Sequence, residues 1–137
     1  MSRAAVVLVA LAACTEQPPA CIDVDTMCQS LYQPTFDNVY ANTLQDKCGS
    51  TRSSCHSATG HMGGMDFSTK DTAYAALLAP GHDRVVPGDP GCSKIIVRTN
   101  GIGKDYQMPP GDPLTDEHER CALIQWVANG APGPGVQ

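Results

Sequence analysis

Aromatic side chains are scarce in this sequence: one Trp, four Tyr and two Phe make up 5% of 137 residues. A core built from this chain must lean on Ala, Val, Leu and Ile, or on something the chain binds. Positive charge is also short, with 9 Lys and Arg against 14 Asp and Glu and a net charge of -5. No basic stripe or block exists, which excludes nucleic acid as a partner on electrostatic grounds. There is no HExxH, no Gly-rich phosphate loop and no nucleophile elbow, so hydrolase and nucleotide chemistry have no motif to stand on. Neither Cys-x2-Cys nor His-x3-His occurs, which disfavours a zinc site. The longest apolar run, Ala4 to Ala13, is 10 residues, too short to cross a bilayer.

Cysteine is abundant instead. Seven cysteines in 14.4 kDa are unusual in a reducing cytosol and point to an oxidising compartment. The N-terminus agrees. Arg3 followed by the Ala4–Ala13 run has the form of a secretory signal, residues 1–13. The run ends Leu11-Ala12-Ala13-Cys14, which resembles a bacterial lipobox and implies acylation of Cys14. The expectation is an exported lipoprotein on a lipid anchor, periplasm-facing or at the cell surface, at the outer membrane. An ordinary cleavage near Ala13 with Cys14 left as a thiol is the alternative.

Residues 14–33 contain Pro18, Pro19, Cys21, Asp23, Asp25 and Cys28 and read as a tether of little regular structure. Cys21 and Cys28 are near enough to pair, although sequence alone does not fix partners. The folded domain spans 34–131. Phe36, Val39, Tyr40, Leu44 and Cys48 fall at helical spacing and predict a first amphipathic helix over 35–47, with Thr35 as N-cap. A second helix is expected over 68–78. The short run Ile95-Ile96-Val97 fits helix or strand. The last helix has Thr115 as N-cap, Asp116, Glu117 and Glu119 in its first turn, and Asn129-Gly130 as its stop. Leu114 can pack ahead of the cap, and Trp126 belongs to the core. The tail 132–137 is rich in Pro and Gly and is expected to be loose. The fold class is therefore all-α, a small bundle of three to four short helices with long loops.

Two loops carry the chemistry. One contains Cys55-His56 and then Gly63-Gly64. The other contains Met108-Pro109-Pro110. Between them lies Val86-Pro87-Gly88-Asp89-Pro90, and after them Trp126 with Gly130-Ala131. In this order the elements resemble small bacterial class I cytochrome c domains. The resemblance covers roughly 35–131 and implies an all-α bundle with its first and last helices packed together. It implies haem c held by His56 as proximal and Met108 as distal iron ligand, with Cys55 as one thioether and Cys48 as the second. It also implies electron transfer rather than enzyme catalysis. An imidazole and a thioether sulfur suit low-spin haem iron and raise its potential. An acidic carrier favours a basic redox partner.

The sequence departs from that family at one place. The attachment motif is Cys-x2-Cys-His, but Arg52 stands where its first cysteine belongs, and Cys48 gives Cys-x6-Cys-His instead. Parity bears on this. With Cys14 set aside, six cysteines remain. Haem on Cys48 and Cys55 leaves Cys21, Cys28, Cys92 and Cys121 for two disulfides, with Cys92–Cys121 the expected structural pair. A haem-free lipoprotein that keeps the scaffold as a binding or structural module would have three disulfides, one of them Cys48–Cys55. The remaining candidates read blandly. Met62 and Met65 are rival sulfurs close to His56 in sequence, His61 and His82 are solvated loop residues, and His118 lies on the surface.

Overall fold

The computed structural model describes residues 15–49 and 55–137. The proposed signal, Cys14, Arg52 and Ser53-Ser54 lie outside them. Helix α1, Phe36–Val39, continues without a break into a π-helix, Tyr40–Cys48. A single tight turn, Met62–Gly64, follows. Helices α2 (Lys70–Leu77), α3 (Lys94–Asn100) and α4 (Glu117–Ala128) complete an all-helical bundle, with no strand among the described residues. None of these helices is long and apolar enough to cross a membrane.

The helices begin where short polar side chains satisfy their first amides. Thr35 accepts from the Asn38 N–H, and Thr69 and Thr72 form a reciprocal capping box at α2. At α4 the cap is Asp116, one residue later than expected, and its carboxylate accepts from the His118 and Glu119 amides. A carboxylate at the positive end of a helix is favoured over the neutral hydroxyl of Thr115. The ambiguous 95–97 run is helical. The end of α4 closes on Gly130 at φ 89°, and the Ala131 N–H reaches back to the Trp126 carbonyl at 3.0 Å, as a left-handed C-terminal cap requires.

α1 packs on α4 through Phe36 and Trp126, both fully buried, with ring centroids 5.2 Å apart. Tyr74 of α2 meets Phe36 edge-on at 5.0 Å. Three of the seven aromatics thus form the hub, at distances typical of favourable ring pairs. The 86–90 turn is pinned to α4 by the Gly88 N–H to the Val127 carbonyl, 2.8 Å. Buried Ser93 closes the turn from within, accepting from the Val86 N–H and donating to the Asp89 carbonyl, each at 2.8 Å.

Four expectations need correction. The disulfides are Cys21–Cys92 and Cys28–Cys121, so Cys92 pairs not with Cys121 but with the N-terminal segment, and Cys21 does not pair with Cys28. Residues 15–33 are accordingly no loose tether. They form an irregular strap, fastened by both disulfides, by Ile22 N–H to the Gly91 carbonyl at 2.9 Å, and by Leu31 N–H to the His118 carbonyl at 2.9 Å. Gly91 is needed there, since a Cβ at that position would lie 2.6 Å from the Ile22 carbonyl oxygen. His118 is half-buried under the strap, its Nδ1 2.8 Å from the Gln29 carbonyl. The tail is also held. Trp126 Nε1 donates to the Pro132 carbonyl at 3.0 Å and the Gly135 N–H to Asp37 Oδ2 at 3.0 Å.

Both disulfides close long loops, with sequence separations of 71 and 93 residues, and long loops are where a cross-link restricts the unfolded chain most. Replacing Cys28 and Cys121 together by Ala is expected to lower stability by about 3 kcal/mol, read as a shift of the urea unfolding midpoint of the exported protein.

Candidate functional site

The bundle encloses a cleft of about 340 Å³, lined by Leu44, Met65, Phe67, Leu77, Ile95 and Leu123 among others. A smaller cavity of about 120 Å³ adjoins it, lined by Lys47, Cys48, Cys55, His56, Met62, Met108, Pro109 and Pro110. Cys48, His56, Met62 and Met108 line both. The two loops singled out in the sequence, far apart in the chain, therefore face one space.

Each functional side chain is positioned by its own local structure. His56 sits in a loop cross-braced by Met62 N–H to the Cys55 carbonyl, 2.8 Å, and Phe67 N–H to the His56 carbonyl, 2.6 Å. Its Nδ1 lies 2.9 Å from the Met62 carbonyl. A carbonyl can only accept, so Nδ1 carries the proton and Nε2 keeps its lone pair, the form in which imidazole binds a metal. Gly63 lets the chain turn back for this contact, at φ 66°, a conformation that glycine adopts without strain. Burial, and secondarily the nearby Arg84 charge, hold the His56 pKa below its ordinary value despite the opposing Met62 contact. The neutral ring is thereby favoured.

Met108 ends a loop built on its own hydrogen bonds. Its N–H donates to the Arg98 carbonyl at 3.1 Å, and the Gln107 side chain donates to the Pro109 carbonyl at 3.0 Å. The Met108–Pro109 peptide is cis, and Pro109 is buried.

Cys48 ends the π-helix. The π form, marked by Gly49 N–H to the Leu44 carbonyl at 2.8 Å, is rare and recurs at functional sites. It is locked to α4 by a buried polar network. Thr43 Oγ1 donates to Glu119 Oε1 at 2.7 Å and Lys47 Nζ to Glu119 Oε2 at 2.8 Å. Thr43 has one hydroxyl proton and gives it to Glu119, so Tyr32, 2.6 Å away, must donate to Thr43. Burial pushes the Tyr32 phenol up to about 12, keeping that donor proton in place. Cys48 and Cys55 take no part in either disulfide.

Arg84, Lys94 and Arg98 also line the larger cleft, together with His82. Arg84 is fixed by donating to the Ala76 carbonyl at 2.7 Å and the Gly63 carbonyl at 2.6 Å. Three cations thus line this cleft of an acidic chain. These residues, with Lys47 and Phe67, escaped sequence reasoning. Their signal was the presence of basic residues beside the two loops of an otherwise acidic chain. Met62 and Met65, expected only as rival sulfurs, line the larger cleft, as does the exposed His82. His61 stays exposed, 3.9 Å from Asp66.

Residues 53–112 match the model of a family described as Planctomycete cytochrome C. The match supports a cytochrome c-like domain and, in general terms, c-type haem binding. No curated protein and no solved structure matches. Among the described residues no three His, Cys, Asp or Glu side chains gather as a site for a bare metal ion. The donors that line the two cavities are of another kind: the imidazoles of His56 and His82, thioether sulfurs, two thiols, apolar side chains and three cations. That set fits haem, whose ring supplies most of its own iron ligands, whose body is apolar and whose propionates are anionic.

Burial raises the Cys48 pKa to about 12, with the Glu119 charge adding to it. Cys48 retains some exposed surface, which moderates the effect. In protein without haem, alkylation of Cys48 by iodoacetamide at pH 8 is expected to run at least about tenfold slower than that of a solvated thiol. Denaturant should restore the ordinary rate, with peptide mass spectrometry reporting the site.

Proposed function

We propose that the chain is an exported, lipid-anchored haem domain that carries single electrons. His56 and Met108 are its axial ligands, Cys55 is one thioether attachment and Cys48 the second. The observation that supports this reading best is that His56, Met108, Cys48 and Cys55 line one cavity of about 120 Å³, although His56 and Met108 are 52 positions apart in the sequence.

When bound, haem supplies the one-electron couple; the chain supplies ligation, burial and charge. His56 offers Nε2 while its Nδ1–H donates to the Met62 carbonyl, which fixes the ring orientation. The Gln107–Pro109 contact holds the Met108 backbone, so the sulfur needs little ordering to reach the metal. Leu44, Phe67, Leu77 and Leu123 exclude water from the apolar body of the group. Arg84, Lys94 and Arg98 offset its carboxylates, and this offset favours the site in a chain of net charge -5. The same net charge favours a basic redox partner. Cysteine usage and the N-terminal pattern support export and anchoring at Cys14, on the periplasmic side or at the cell surface.

Two variants expressed with a c-type maturation system test the ligand assignment. His56→Ala is expected to abolish haem incorporation. Met108→Ala should leave haem attached and lower its potential, since a thioether ligand raises it, as read by spectroelectrochemical titration. Unchanged visible spectra in both variants would contradict the assignment.

A further inference from the structure

The His56 ring is aimed by the Met62 carbonyl, and that carbonyl belongs to a turn of unusual backbone. His61, Gly63 and Gly64 all lie in the left-handed region, at φ 44°, 66° and 69°. That region is costly for a residue with a Cβ and loosely specified at glycine. Two backbone hydrogen bonds lie within the turn. Gly64 N–H donates to the His61 carbonyl at 2.9 Å, and Met65 N–H to the Met62 carbonyl at 3.4 Å. The second is long for a bond of its kind.

Arg84 braces this turn from 21 positions along the chain. Its Nη2 donates to the Gly63 carbonyl at 2.6 Å and its Nη1 to the Ala76 carbonyl at 2.7 Å. A Cβ on Gly64 would stand 3.5 Å from Nη2, so the cation lies against the turn. Ala76 is in the last turn of α2, where carbonyls lack intrahelical donors and the helix dipole favours a cation. One planar group thus bridges a helix end and the His56 loop. A guanidinium fork reaches two acceptors at a fixed spacing, whereas an ammonium carries the same charge without that geometry. A guanidinium has five N–H groups, so the bridge leaves donors for an anion in the cleft.

The consequence runs through Gly63. The Met62 and Gly63 carbonyls flank this one residue, and glycine has the widest backbone freedom. His56 Nδ1 holds the first carbonyl at 2.9 Å, and Arg84 holds the second. With the second fixed, the first keeps one direction, and the ring proton stays on Nδ1. With the second released, the Gly63 peptide can rotate, and the imidazole loses the acceptor that sets its tautomer.

We propose that Arg84 is a positioning residue: by bridging Ala76 and Gly63 it keeps the Met62 carbonyl on His56 Nδ1–H and so leaves Nε2 bare for the iron. This rests on the reading of His56 as an axial ligand. The role is geometric and separate from the offset of haem carboxylates by the Arg84 charge.

Two variants separate geometry from charge. Arg84→Lys keeps the charge and loses the fork; Arg84→Met loses both. The full chain, exported without a c-type maturation system, is read by ring-nitrogen NMR at pH 8, where imidazole is neutral. The wild type is expected to hold His56 as the Nδ1–H tautomer. Both variants should shift the tautomer ratio toward Nε2–H by about fivefold, the effect of one hydrogen bond, with the α4 resonances unchanged. In the haem-loaded protein, Arg84→Lys should raise the potential, because a weaker Nδ1–H contact makes the imidazole a less basic ligand. Wild-type tautomer and potential in Arg84→Lys would overturn the proposal, since charge alone would then account for the residue. A wild-type chain that holds the Nε2–H tautomer would overturn it too. A wild-type chain that takes up no haem from a maturation system would contradict the ligand reading instead, and the tautomer ratios would still decide what Arg84 does.

Discussion

The carboxylate of Glu119 fixes the shape of the cleft. It is buried, and a buried charge is costly unless paired and hydrogen-bonded on all sides. Thr43 and Lys47, one turn apart on the π-helix, supply those partners, and Leu44 and Cys48, also one turn apart, face the cleft as a result. Neither pair can slide along α4 without stranding the charge. The Phe36–Trp126 hub sets the angle between first and last helices, and Glu119 sets their register. The position of Cys48 against the His56 loop follows from the two together.

Electrostatics are divided by place. Acidic residues dominate the chain as a whole, yet Arg84, Lys94 and Arg98 all line the larger cleft. The three cations are held in place by backbone carbonyls, although the Lys94 side chain stays 54% exposed. Arg84 and Lys94 spend donors on the Ala76, Gly63 and His82 carbonyls, and the Arg98 guanidinium turns to the Tyr106 carbonyl at 3.3 Å. The strap works at a larger scale. Two covalent bonds take an irregular, proline-containing segment that could not order itself and lay it across α3 and α4.

The helices were legible because their signals are local: apolar side chains at 36, 39, 40 and 44, and short polar residues ahead of each helix. The π form was not, since the same apolar spacing suits an α-helix. The cap of α4 slipped by one residue because Thr115 and Asp116 are both capable and adjacent. Disulfide partners were illegible in principle. Four cysteines allow three pairings, and proximity in sequence favoured the wrong one for Cys21 and Cys28. The looseness expected of the tether and the tail failed over 15–33 and 132–137 for a related reason: what fastens them is backbone hydrogen bonding and cross-links to distant residues, which composition does not record. Cys55, His56 and Met108 stand out in the sequence through the order of the motifs around them, but that they share one cavity with Cys48 is visible only in the folded chain. The three cleft cations are spread over 15 positions of chain, from 84 to 98, and come together only when the bundle closes.

The central claim is that one haem is held covalently by Cys55 and Cys48 across six intervening residues. Intact mass spectrometry of the exported protein, denatured and treated with iodoacetamide, tests it most directly. One haem mass should remain on the chain, with no alkylation at Cys48 or Cys55 and both disulfides retained. A chain without haem, whose Cys48 and Cys55 either alkylate or account for a third disulfide, would contradict it.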